Sequence, residues 1–199
     1  MSRFDEKAKE WNSPRNRERA EYVAGIIRSA MPLSTESTAF EYGAGTGLLS
    51  FELCNDVGSV IHAVNSDKML KVLNERIANH SVENMRPVRL NLSEDPPLSN
   101  RFNLIYTMIP LHHTSGVRQL FRKFHELLED GGLFCLADLE LDKYDSFPGY
   151  DADLVHKAFD QNDLASITKK AGFKDISFIP GSKWNMRLIK AQRNSSLYF

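Results

Sequence analysis

Glu41 stands just ahead of three glycines, Gly43, Gly45 and Gly47, with only Ala44 and Thr46 between them. Glycines at this spacing let the backbone turn sharply and approach a ligand with no Cβ in the way. The helical pattern that begins at Leu48 then offers free N–H groups and a positive dipole end to something anionic. The chemistry favoured is the holding of a nucleotide-type cofactor. A P-loop requires Gly-Lys-Ser/Thr, and no lysine lies between Glu41 and Cys54. A dinucleotide fingerprint closes on a glycine where this chain has Leu48. A nicotinamide-dependent enzyme is therefore the weaker reading.

The elements around the loop must place it at the end of a strand. Residues 38–42 read as a short strand, Leu48 to Leu53 open a helix, and Ser59 to Val64 form a second strand. Ser66 is a natural N-cap for a helix carrying Met69, Leu70, Leu73 and Ile77 at helical spacing. Residues 86–90 are a third strand and Phe102 to Met108 a fourth. A helix over 115–129 stops at Gly131-Gly132, and Leu133 to Ala137 is the fifth strand. A helix over 161–171 ends at Gly172, and two β runs follow, 174–179 and 184–191, joined by a Pro-Gly turn. Upstream, residues 4–30 carry two helical stretches interrupted near Ser13-Pro14. Alternating strands and helices predict an α/β fold, a doubly wound, mostly parallel seven-stranded sheet of Rossmann-like type with an antiparallel last strand.

In this order of elements the chain resembles the class I S-adenosylmethionine-dependent methyltransferases. Glu41-x-Gly43-x-Gly45-x-Gly47 is similar to their first motif, and Ser66 to Leu70 to the start of their second helix. Arg101 to Ile105 with Leu111-His112-His113 resembles their fourth strand and its exit. Gly131-Gly132-Leu133 and Ala171-Gly172-Phe173 resemble the turns into their fifth and sixth strands. Phe4-Asp5, Ala8 and Trp11 are similar to the family's N-terminal lid. The resemblance implies one domain over 1–199, with a helical lid at 1–35 and a Rossmann-like core at 36–199.

That resemblance also implies roles. S-adenosyl-L-methionine would be the cofactor, lying over Gly43, Ala44, Gly45, Thr46 and Gly47, with Glu41 accepting from its ammonium directly or through water. Asn65 stands at the second strand's end, where the family offers a ribose-binding acid. Asn91 stands where it offers an acid to the adenine amine, with the Leu92 N–H available to a ring nitrogen. Thr107 joins the cofactor-binding set at the fourth strand's exit, where Thr107 to Pro110 replaces an Asn-Pro-Pro-Tyr-type motif and so argues against base or glutamine amino-methylation. Asn103 and Asn12 likewise stand where acids are usual. An asparagine keeps one carbonyl acceptor but carries no charge. The activity implied is methyl transfer to a small-molecule acceptor, the alternative being a non-catalytic binding module or partner subunit. His112 and His113 are candidate bases near neutral pH. Asp138, Glu140, Asp142 and Asp145, with His156 beyond, could face a cationic acceptor.

Composition is consistent with this. At 199 residues and net charge −1 the chain carries no global attraction for nucleic acid or anionic membrane. Arg15, Arg17 and Arg19 could form a local basic patch. Cys54 and Cys135 sit in apolar runs without metal or redox spacing, so they read as buried thiols in a reducing compartment. The charged N-terminus lacks an apolar signal core and no stretch reaches transmembrane length, so the expected location is cytoplasmic.

Overall fold

The computed structural model describes residues 12–96, 98–109, 111, 114–139, 159–181 and 186–194. Helix α1 (Pro14–Ala30) begins where Ser13 caps it, its hydroxyl accepting from the Asn16 N–H, with proline at the first helical position where no donor is lost. Strand β1 (Thr38–Tyr42) runs into the glycine loop and α2 (Leu48–Leu53). After β2 (Ser59–Val64), the Ser66 hydroxyl accepts the Met69 N–H at 3.2 Å and starts α3 (Asp67–Asn79). Then follow β3 (Met85–Arg89), β4 (Phe102–Thr107), α4 (Val117–Leu127), β5 (Leu128–Leu139), α5 (Gln161–Lys170), β6 (Phe173–Pro180) and β7 (Met186–Arg193). The first of the two helical stretches expected in residues 4–30 falls on residues 1–11, outside those described.

The seven strands of the described residues form one sheet in the order β3-β2-β1-β4-β5-β7-β6. The first five strands pair in parallel, and β7 runs antiparallel between β5 and β6. The expected topology is the one observed, including the reversed last strand.

Several boundaries differ from the sequence expectation by a residue or more, most of all where the fifth strand begins. The helix expected over 115–129 stops at Leu127, because Leu128 turns extended (ψ 149°) and pairs with Phe102. Sheet pairing there outweighs local helical preference, and Gly131-Gly132 lie inside β5 rather than ending the helix. The third strand starts one residue earlier than expected, at Met85, which pairs with Val60.

Period-two alternation divides the core between the two faces of the sheet. Phe40, Ile105, Phe134 and Ile189 face one way, against Leu120, Phe121 and Phe124 of α4 and Leu164 and Ile167 of α5. Phe134 is the hub of this side, with ring centroids 5.4 Å from Phe121, 5.3 Å from Phe124 and 5.2 Å from Phe173. Ala39, Leu104, Cys135 and Leu188 face the other way, under Val23 and Ile27 of α1 and Leu49 and Leu53 of α2. Both cysteines are buried and free, and burial pushes the Cys135 thiol up to about 12.

Candidate functional site

β3, β2, β1 and β4 are neighbouring parallel strands, so their carboxyl ends lie on one side of the sheet. A cavity of about 230 Å³ crosses those ends, the place where open α/β sheets hold ligands. β1 and its loop supply Tyr42, Gly43 and Gly45 to the wall; the end of β2 supplies Ala63, Val64 and Asn65. Leu90, Asn91, Ser93 and Glu94 follow β3, and Met108 and Ile109 follow β4. No lysine, arginine or histidine lines it among the described residues.

The loop is fixed to the neighbouring strand. The N–H groups of Gly43 and Ala44 both donate to the Ala63 carbonyl, at 3.0 and 3.2 Å, which extends the β1–β2 contact past the strand end. Gly43 sits at φ +69°, and a Cβ there would lie 2.4 Å from Ile109 Cγ2 across the cavity. Only glycine keeps both the turn and the open space. Gly47, at φ +77°, begins α2 close against Leu73 of α3.

Of the residues expected to hold a ligand, Gly43, Gly45, Asn65 and Asn91 form the wall together. Ala44 and Thr46 are buried in the loop, where the Thr46 hydroxyl donates to Asn12 Oδ1 at 2.6 Å and its carbonyl accepts from Arg76 at 2.6 Å. The Thr107 hydroxyl donates to the Tyr42 carbonyl at 2.7 Å, joining β4 to β1 behind the wall. The Leu92 side chain is buried in the core. Asp67 is engaged by Arg89 at 3.0 Å on the outer surface. His112 and His113 lie outside the described residues, as do Glu140, Asp142, Asp145 and His156. Asp138 is buried at the end of β5, and its Oδ1 accepts the Leu111 N–H at 3.3 Å.

Glu41 points to the opposite face of β1 from Tyr42 and does not line the cavity. Its carboxyl accepts from the Ser50 hydroxyl, which lies 2.6 Å from the Tyr106 hydroxyl. Burial, offset in part by Ser50, raises the Glu41 carboxyl to about 8, so it is protonated at neutral pH. His62 of β2 is fully buried with Nε2 3.9 Å from Glu41 Oε2. No side chain or backbone group gives either ring nitrogen a well-formed hydrogen bond among the described residues. Burial lowers its imidazole to about 4, a shift that the nearby Arg86 backbone opposes. The cluster is a buried, uncharged polar patch beneath the loop.

Ser50, His62, Tyr106 and Glu94 are the residues that sequence reasoning did not single out. For His62 a signal existed: alternation along Ser59–Val64 places it on the same inward face as Val60 and Val64. Among the described residues no three histidine, cysteine or acidic side chains are grouped to hold a metal ion, and no helix is long and apolar enough to cross a membrane.

Comparison with known proteins places this architecture. Residues 39–132, just under half of the chain, match the model of a methyltransferase domain family. No curated protein matches the chain in sequence. Among solved structures, a chain from a complex of the Haloferax volcanii Trm112 methyltransferase activator superposes with a TM-score of 0.80 at 13% identity, covering 98% of this chain and 99% of that one. An S-adenosylmethionine-dependent methyltransferase from Aquifex aeolicus superposes at 0.76 with 14% identity, covering 94% and 97%. The [4+2]-cyclase SpnF superposes at 0.73 with 13% identity, covering 89% and 82%. The matched segment is that of a methyltransferase domain, and the sheet has the fold of the S-adenosylmethionine-dependent methyltransferase on which it superposes.

Proposed function

We propose that the chain binds S-adenosyl-L-methionine and transfers its methyl group to a small molecule. The observation that carries this is the cavity at the carboxyl ends of β3, β2, β1 and β4, with Gly43 held open against Ile109. The residues fit such a ligand. The wall offers hydroxyl, amide and carboxylate groups beside apolar surface. Gly43, Gly45 and Asn65 would hold it directly and the turn at Asn91 would shape the β3 end of the wall, while Thr46, Thr107 and Glu41 fix the loop from behind. When bound, the cofactor supplies an electrophilic methyl group on a sulfonium. The chain's own part is positioning, since an in-line displacement gains most from aligned reactants.

The test is calorimetric titration with S-adenosylmethionine and S-adenosylhomocysteine. Saturable binding is expected, and no binding at about millimolar concentration, where affinity falls to about 4 kcal/mol, overturns the proposal. A second reading, a binding module without turnover, is favoured by Asn65 and Asn91 standing uncharged on the wall. The cyclase among the similar folds also shows that fold alone does not dictate chemistry. Changing both asparagines to aspartate separates the two: tighter binding without methylation of any offered acceptor favours the module. The activator complex among the similar folds makes a protein partner worth including in the same titration.

A further inference from the structure

We propose that Glu94, rather than Asn91, is the acid that recognises the exocyclic amine of the cofactor's purine; this rests on the cofactor reading above. The cavity has two unlike ends. Ala63, Val64, Met69 and Leu90 give the β2–β3 end an apolar lining suited to a flat base. Thr114 and Ser115 put hydroxyls into the wall as well, beside Met108 and Ile109 that follow β4.

At the β3 end Asn91 is committed to its own turn. Its side-chain carbonyl accepts the Ser93 N–H at 3.0 Å, and its backbone carbonyl accepts from both Glu94 and Asp95, at 3.0 and 2.8 Å. Its N–H donates to Asp95 Oδ2 at 2.6 Å, which occupies that carboxylate too. This turn carries Glu94 onto the cavity wall. Glu94 is exposed, and its carboxylate makes no hydrogen bond or ion pair among the described residues. It is the carboxylate on this wall, and the burial-raised Tyr42 hydroxyl, bonded to Ser93, feels its charge. A free carboxylate beside an apolar slot accepts an amine N–H with a charge-assisted bond, which a side-chain amide already used in a turn does not match. The charge missing at Asn91 is thus supplied three residues on.

The test is calorimetry of wild type and Glu94→Gln with S-adenosylhomocysteine, adenosine and purine riboside, which lacks the amine. Glu94 is exposed and unbonded, so the variant folds; a thermal melt checks this. Glu94→Gln is expected to bind S-adenosylhomocysteine and adenosine about ten-fold more weakly and to lose the wild-type preference for adenosine over purine riboside. Wild-type binding with Glu94→Gln unchanged within two-fold (about 0.4 kcal/mol), or an undiminished amine preference, overturns this assignment alone. Absence of wild-type binding to S-adenosylhomocysteine overturns the cofactor reading and this inference together.

Discussion

Replacing Glu41 with glutamine should reverse the pH dependence of stability that the buried patch imposes. Burial raises the carboxyl from 4.5 to about 8, so the folded chain keeps a proton over a range in which the unfolded chain has lost it. Stability from this group is therefore greatest in acid and falls as pH rises from about 4.5 to about 8. At about 1.36 kcal/mol per unit the full effect approaches 5 kcal/mol, with about 3 kcal/mol of it between about pH 5 and pH 8. His62 acts the other way. Its imidazole is lowered from 6.5 to about 4, so its contribution is intact above 6.5 and is lost as pH falls toward 4. Over about pH 5 to pH 8 that opposing gain is about 2 kcal/mol, so in the wild type a net loss of about 1 kcal/mol remains. Glu41→Gln keeps an acceptor for the Ser50 hydroxyl and cannot ionise. Relative to wild type it should gain about 3 kcal/mol between about pH 5 and pH 8, a relative rise in melting temperature of about 6–12 °C for a chain of this size. Thermal melts of both proteins across that range measure the difference directly. Parallel curves would show that Glu41 is ionised in the folded protein and would refute the account of the patch.

Gly43→Ala places a methyl 2.4 Å from Ile109 Cγ2 at φ +69°. It should cost about 1–2 kcal/mol in a chemical-denaturation midpoint and weaken S-adenosylhomocysteine binding well beyond that, measured by calorimetry. Phe124→Ala removes a fully buried ring touching Phe121, Phe134 and Tyr42, so urea unfolding should show a loss of about 3–5 kcal/mol. Asn103 Oδ1 accepts from both the Thr38 N–H and its hydroxyl, at 2.9 and 3.1 Å. Asn103→Asp preserves both bonds and should leave stability within about 1 kcal/mol, whereas Asn103→Ala should lose about 1–2 kcal/mol in the same assay.

The fold was legible because its signals are local and repeated. Met69 and Leu73 at helical spacing, the Ser66 cap and the glycines after β1 each specify one element and agree with one another. Leu128 was misread because its pairing with Phe102 comes from far along the chain, and no window of sequence contains both. In the site, the glycine loop and Asn65 were readable because their place follows from strand ends. Glu94 was not, since only the turn closed by Asn91 and Asp95 decides that it reaches the cavity. Glu41 was found by its motif, but the motif says nothing of Ser50, Tyr106 and His62. Those residues meet it from another helix and two other strands.

The antiparallel strand β7 has a consequence for how the protein is made. Among the described strands it comes last in sequence, yet it lies between β5 and β6. While synthesis proceeds from the amino end, β5 has an open edge and β6 has no neighbour to join until residues 186–193 have emerged. Strands β3, β2, β1, β4 and β5 can pair before that moment, and β6 cannot yet join them. Until β7 arrives, the edges of β5 and β6 that it will cover stay unpaired, a surface on which chains associate with one another in error.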